Sequence, residues 1–383
     1  MKKAHREKGK RKSEIRAKEL PSLAEKRGAA IKVLLLSDRF VPASLALSQA
    51  FYLLCLEMNY QVKRFMNLEY VKYLDSTEDV LFQEQELDDY SPDLAIFLNV
   101  SLRIPHFLTK LKKMGCKCCY LLHEPYAGFK EMKKEKEFLA RSLMRTALDC
   151  FICKKSDMVL LPSEKAYENY ERYSVKCNQN SMIFPLIFPG GCEKDENEKA
   201  ERKYFSYIGS FSSVHHAKGY LSFMRYAFEH KWNIFFQIFT RSNIEDYLKE
   251  DYLKEMIRTR QLVVQQGRPM TTEEINQAYQ QSVCVWNLYQ KSTQSGVLGN
   301  AFMLGTPVIA SYTGVFREYV VNHYNGVLIE DIDNMDEIYK AYQAIAENVE
   351  MMAEHALETY FKKYHYSSQR DTMLSLNQRL FSK

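Results

Sequence analysis

The sequence contains no apolar run long enough to span a bilayer, and no apolar stretch near its start resembles a secretory signal. A cytosolic location is therefore expected. It also lacks a Gly-x-Gly-x-x-Gly between its first strand-like run and the helix that follows, which argues against a nicotinamide-type dinucleotide fold. A clear Asp-x-Asp metal site is missing too. Asp88-Asp89 and the Asp331-Ile332-Asp333 triplet lie in polar surroundings, and no metal is expected. There is no internal repeat of solenoid period. The 9 cysteines follow no secreted-framework spacing and read as reduced, buried thiols of a reducing compartment. Cys116, Cys118 and Cys119 lie in a run that alternates and then turns apolar, like a buried strand. Cys150 and Cys153 lie on an apolar helix. A zinc site needs four converging ligands, and buried structural cysteine is the simpler reading.

What is present is a long, mixed chain. Its 383 residues, 46% hydrophobic, exceed one ordinary core and point to two domains. The net charge of +5 is uneven: residues 1–30 hold eleven Lys or Arg against four Glu, so that stretch carries +7 and the remainder −2. With almost no large apolar residues, the stretch cannot fold alone. It reads as a solubilising tail or as an electrostatic attachment to an anionic membrane leaflet. Nothing downstream supports nucleic acid.

From residue 31 the chain alternates between apolar runs and helical periodicity. Ile31–Ser37 is a continuous β-branched and leucine run, the pattern of a buried parallel strand, with Asp38-Arg39 at its carboxyl end. Pro42 fits the first turn of a helix over Ala43–Met58. Strands are expected over Gln61–Met66, Pro92–Asn99, Lys117–Leu122 and Asp157–Leu161. Helices are expected over Ile104–Met114, ended by Gly115, and over Lys134–Lys155. Residues 189–203 are charge-dense without periodicity, a linker by composition. Alternation then resumes. Strands are expected at Tyr204–Gly209, Asn233–Phe239, Leu262–Gln265 and Val283–Trp286, and helices at Leu221–Phe228, Glu245–Arg260 and Thr272–Gln281. Three helical stretches close the chain, Met335–Ala346, Met351–Lys363 and Ser367–Phe381. Such alternation means parallel sheets covered by helices.

The stretch Tyr289–Ile329 organises the rest. Its polar loop Lys291-Ser292-Thr293-Gln294-Ser295-Gly296 leads into apolar Val297–Leu304. Ser295 is an N-cap candidate, and Gly305 suits the position after a helix end. Thr306-Pro307 turns the chain into the short strand Val308-Ile309-Ala310. Small residues at a helix N-terminus let backbone N–H groups approach an anion, which the helix dipole favours. From the local pattern alone, an ordinary loop–helix–strand unit is the simpler reading.

Gly305-Thr306-Pro307-Val308-Ile309-Ala310, Gly314, Glu318 and Asn325-Gly326 resemble, in order, the nucleotide-sugar-binding segment of the family 4 glycosyltransferases (glycosyl transferases group 1). Thr293-Gln294-Ser295-Gly296-Val297 resembles a bacterial polysaccharide-synthesis subset. His123-Glu124-Pro125 resembles the acceptor-domain motif of the same family, whose histidine lies at the cleft. Lys218-Gly219 resembles the second half of the family's Gly-Arg…Lys-Gly diphosphate motif, with Gly209-Ser210 in place of Gly-Arg. The departures are specific. The family's two glutamates fall on Ser292 and Asn300, and its arginine falls on Ser210. Asn300 still offers a ribose hydroxyl both a donor and an acceptor, and Arg268, Lys291 and Arg317 are candidates for the missing cation. By itself, Lys218 also reads as a solvated loop lysine.

The resemblance implies the GT-B fold, an α/β arrangement of two Rossmann-like doubly wound domains facing across a cleft. With the basic tail (1–30) and the linker (189–203) read from composition, it implies an acceptor-side domain (31–188), a nucleotide-sugar domain (204–360) and a C-terminal crossover helix (361–383). It further implies a retaining, metal-independent glycosyltransferase that takes a nucleoside-diphosphate sugar as co-substrate, without a cofactor. The acceptor would be a glycan or lipid-linked hydroxyl, and the place cytoplasmic, peripheral on the inner membrane face if the tail binds there. His123, Lys218 and Glu318 become the catalytic candidates. Gly209, Ser210, Arg268, Ser292, Thr293, Gln294, Ser295, Gly296, Val297 and Asn300 become the donor-binding candidates. The missing glutamates also fit a catalytically degenerate subunit partnering a transferase, and the fold would also suit a nucleotide-sugar hydrolase or epimerase.

Overall fold

The computed structural model describes residues 30–74, 76–129, 139–174, 176–190, 201–211 and 214–382. The basic tail, and residues 191–200 of the linker, lie outside the described residues.

Two parallel sheets account for the strands. The first contains β1 (Lys32–Ser37), β2 (Gln61–Met66), β3 (Val80–Leu81), β4 (Leu94–Phe97), β5 (Lys117–Leu121), β6 (Met158–Leu161) and β7 (Ser181–Ile183). Their spatial order is β3-β2-β1-β4-β5-β6-β7. The second contains β8 (Tyr204–Ile208), β9 (Phe235–Phe239), β10 (Leu262–Gln265), β11 (Ser282–Asn287), β12 (Val308–Ser311) and β13 (Gly326–Ile329), in the order β10-β9-β8-β11-β12-β13. Each central strand is buried on both faces because helices cover both sides. In β1, Leu34 and Leu36 enter one core and Val33 and Leu35 the other, as the two-residue strand period requires. In the second sheet Phe205, Tyr207, Cys284 and Trp286 pack on one face, and Ile208 and Val285 on the other.

Strand order reverses between β1 and β4 and again between β8 and β11. A crevice opens at the carboxyl ends of strands at such switch points, and ligands of open α/β sheets gather there. The molecule is thus two Rossmann-like doubly wound domains facing one another, the GT-B arrangement. Among the described residues no helix is long and apolar enough to cross a membrane.

The chain ends on the first domain. Helix Arg370–Phe381 buries Met373 and Leu376 in the core that holds Val33 and Leu35. Two such side chains contribute about 3–6 kcal/mol. The Arg379 guanidinium bond to the Ser181 carbonyl (3.3 Å) adds about 1 kcal/mol, so packing rather than hydrogen bonding docks this helix. The two connections between domains run side by side. Phe188 N–H donates to the Tyr364 carbonyl (2.8 Å), and Tyr366 N–H donates back to Phe188 (3.2 Å).

Several elements differ from the sequence reading. The helix expected from Leu221 begins at Val214 and runs to Glu229. His216 and Ala217, ahead of the expected helix, are buried and extend its apolar face. The stretch 245–260 is a 3-10 turn, Tyr247–Lys249, followed by helix Asp251–Arg258. Helix Glu164–Tyr173 was not anticipated. Nor were all cysteines reduced. Cys150 and Cys177 form a disulfide, because their helix and turn bring the two Cα atoms to 5.7 Å. Among the described residues six others are free and buried.

Candidate functional site

The second switch point is built from two strand ends. β8 is followed by Gly209, whose φ of +144° suits glycine and whose missing side chain faces Val297 at 3.6 Å. β11 delivers Tyr289 and the loop 290–295, and helix Gly296–Met303 follows. Ser295 is its N-cap in extended conformation, and its Oγ accepts the Leu298 N–H (3.1 Å). The Gly296 and Val297 N–H groups have no acceptor among the described residues. They are the open donors of this helix start, where the helix dipole favours an anion.

The loop is held in shape from below. Ser292 Oγ donates to the Gln294 carbonyl (2.7 Å), and the Ser292 carbonyl accepts Val315 N–H (3.0 Å). A Cβ on Gly314, at φ +51°, would lie 1.8 Å from that carbonyl, so only glycine fits. Ser311 Oγ donates to the Tyr289 carbonyl (2.5 Å). The Tyr289 ring stacks on buried His216, with centroids 3.6 Å apart. Burial pulls His216 down to about 3, with the Trp286 backbone acting weakly the other way.

The first domain closes over this loop. His123, just past β5, has its Nε2 against the Leu98 carbonyl (2.7 Å) and its Nδ1 against the Gln294 side-chain oxygen Oε1 (2.9 Å). A carbonyl only accepts, so Nε2 carries a proton. At Nδ1 the ring donates to Gln294 Oε1 as placed, or accepts the Gln294 N–H if that amide is turned over. Thr293 Oγ1 donates to the His123 carbonyl (3.3 Å), and Ser163 Oγ donates to the Thr293 carbonyl (2.7 Å). Glu318 lies across the same seam. Its carboxylate accepts from Lys165 N–H (2.8 Å) and Glu164 N–H (3.0 Å). Burial raises this carboxyl above the usual range, and those two hydrogen bonds act against the rise.

The structure therefore brings Gly209, Ser292, Thr293, Gln294, Ser295, Gly296 and Val297 together, with His123 and Glu318 along the domain seam. Asn300, one turn further along the helix, keeps a half-buried amide that makes no side-chain hydrogen bond among the described residues. The remaining candidates sit apart. Arg268, at the end of edge strand β10, forks onto Glu274 (2.6 and 3.0 Å) at the start of helix Thr272–Gln280. Lys218 is exposed and lies on helix Val214–Glu229 rather than in a turn before it. It lines a cavity of about 160 Å³ with Trp286, Gln290 and Asp333. Ser210 is exposed, and its carbonyl accepts from Tyr207 (2.8 Å). Arg317 lies over the Tyr312 ring (4.6 Å). A cavity of about 660 Å³ runs between the domains, lined by Lys165, Thr313, Gly314, Arg317 and Glu318 among others.

Two residues at this site were not among the sequence candidates. Ser163, in Leu-Pro-Ser-Glu, carried a helix N-cap signal. His216 carried none, since a His-His pair after a serine loop reads as solvated.

Residues 193–363 match the family model described as glycosyl transferases group 1. No curated protein matches the chain. Among solved structures, a sucrose-phosphate synthase from Thermosynechococcus elongatus is similar over 92% of this chain and 99% of its own, at 13% identity and TM-score 0.65. A glycosyltransferase from Rickettsia africae ESF-5 is similar over 92% and 99%, at 10% identity and TM-score 0.67. The Anabaena protein HepE, solved with UDP-glucose, is similar over 90% and 100%, at 13% identity and TM-score 0.60. At these identities the likeness is one of fold.

Proposed function

We propose, on the premise that residues 193–363 form a glycosyl transferases group 1 domain within a GT-B protein, that this protein moves a sugar from a nucleoside-diphosphate sugar to a glycan or lipid-linked hydroxyl. The observation that carries the reading is the pair of unpaired amides, Gly296 and Val297, at the second switch point. In the reaction the bond from the anomeric carbon to the diphosphate oxygen breaks, and a bond from that carbon to the acceptor oxygen forms. The acceptor proton passes to the departing diphosphate, and the anomeric configuration is retained. Catalysis here is stabilisation of the leaving diphosphate, which fixed N–H donors in a closed crevice provide without reorganising. Gly209 gives the diphosphate room, the Asn300 amide takes a ribose hydroxyl, and His123 orients Gln294 beside the sugar. Lys218 adds charge from its helix. No metal is invoked.

The test is calorimetric titration of the protein and of Lys218→Ala with UDP, GDP, TDP and CMP, UDP first because HepE was solved with a uridine donor. Binding of one nucleoside diphosphate supports the reading and identifies the base, and failure of all four removes it. One observation favours a second reading, a non-catalytic partner subunit. Ser292 stands where the family has a glutamate, and its hydroxyl is already spent on the Gln294 carbonyl. Nucleotide binding without turnover of any sugar donor would select that reading. The +7 charge of residues 1–30 supports attachment to an anionic leaflet, at about 1 kcal/mol per surface-adjacent cation. Sedimentation with phosphatidylserine vesicles that survives deletion of those residues would refute it.

A further inference from the structure

Helix Glu164–Tyr173 belongs to the first domain, yet its N-terminus is completed by the second. The first three amides of a helix have no intrahelical partner. Here the third, Ala166 N–H, is taken by the helix's own Ser163 Oγ (2.9 Å). The other two, Glu164 and Lys165, donate to the two carboxylate oxygens of Glu318, a residue more than 150 positions away on the second domain. A carboxylate at this position gains both charge-assisted hydrogen bonds and the helix dipole. The same N-cap serine turns its own hydroxyl proton to the Thr293 carbonyl (2.7 Å). The cap of one helix thus spans the cleft twice, once to Glu318 and once to the loop that leads into helix Gly296–Met303. Gly314, packed on the Ser292 carbonyl, ties the short helix Phe316–Tyr319 that bears Glu318 to that loop.

We infer that Glu318 is an inter-domain latch. Its carboxylate caps helix Glu164–Tyr173 when the domains close, and closure fixes the Thr293-Gln294 conformation that aims the Gly296 and Val297 amides. Glu318 is then a positioning residue, not a group that touches the donor. The latch stands on its own geometry, and only its consequence for nucleotide binding rests on the function proposed above.

Hydrogen exchange of the full chain, followed by mass spectrometry on peptides covering 160–167 and 289–297, tests it without any ligand. In Glu318→Ala both segments exchange at least about tenfold faster, the change that one charge-assisted hydrogen bond carries, while strands β1 and β8 keep their protection. Faster exchange over 160–167 alone makes Glu318 a local cap and overturns the latch, and so does no change in either segment. Should the alanine variant lose protection throughout, Glu318→Gln carries the test. It keeps the shape and one acceptor oxygen, so a smaller rise in both segments is expected, and a rise confined to 160–167 again overturns the inference. In the same variants UDP affinity falls with the exchange change if the loop is a donor site. If wild-type protein binds no nucleotide, the functional reading fails while the exchange result still decides the latch.

Discussion

The two switch points share one topology and have opposite polarity. Both sheets run three strands outward, return to the centre, and run outward again. At the first, the strand ends present acceptors. Asp38 keeps one carboxylate oxygen on Ser101 Oγ (2.8 Å), while its other oxygen, the Asn99 carbonyl oxygen and Ser37 Oγ are buried without a partner. At the second, a glycine strand end and the two open amides of a helix start add donors, beside buried Asn287, whose amide nitrogen and oxygen both lack a partner. The fold decides where a crevice lies, and a handful of residues decide which charge it accepts. In the proposed reaction this matches hydroxyl donors of an acceptor on one side and a diphosphate on the other.

The largest break in that contrast should come from Gly314→Ala. The new Cβ collides with the Ser292 carbonyl and sits at positive φ, so we expect several kcal/mol of lost stability in urea unfolding. Any nucleotide binding should vanish with the loop. Next comes acid. The unfolded chain protonates His216 near the ordinary histidine value, but the folded protein holds it neutral down to about 3. The unfolded state therefore binds more protons, and stability falls as pH drops through that window, at up to about 1.4 kcal/mol per unit. Thermal unfolding at pH 7.5 and 5 should show a smaller acid loss in His216→Phe than in wild type.

Ser295→Ala removes the N-cap and should cost about 1 kcal/mol of stability, with weaker nucleotide binding. Asp38→Asn should leave nucleotide affinity intact and lower transfer to an acceptor, a split that separates the two switch points by calorimetry and turnover. The smallest effect is expected of Arg268→Ala. Its exposed fork onto Glu274 is a local surface pairing, and nucleotide titration should not register its loss.

Long apolar strands were legible because two-sided burial writes a continuous hydrophobic run. The run of β1 is of this kind, and the more mixed Gln61–Met66 and Leu262–Gln265 were also read to the residue. The helix breaks at Gly115 and Gly305 were legible because each sits at positive φ, as was the Ser295 cap. Helix Glu164–Tyr173 was not, since it buries only Ala166 and Tyr170 and so shows almost no apolar face. The two-residue β3 and three-residue β7 carry too few side chains to show a period. The tie between Cys150 and Cys177 and the use of Glu318 are long-range facts, fixed by packing rather than by neighbours in sequence. At the site, the loop Ser292–Val297 was visible as a pattern, but the place of Lys218 on a helix and the pairing of Arg268 with Glu274 were not, because helix starts and ion pairs redirect such side chains.

The most direct measurement is calorimetric titration of UDP into wild-type protein and Gly296→Pro. Proline suits the first helical position, and Ser295 is already extended as a residue before proline requires. Space is open where the side chain would go. The substitution therefore deletes one amide N–H and leaves the helix in place. The account predicts UDP binding by the wild type and a loss of at least about tenfold in the variant, at unchanged melting temperature. Equal affinity in the two proteins would show that the open Gly296 amide of the second switch point does not hold the diphosphate, contrary to the account.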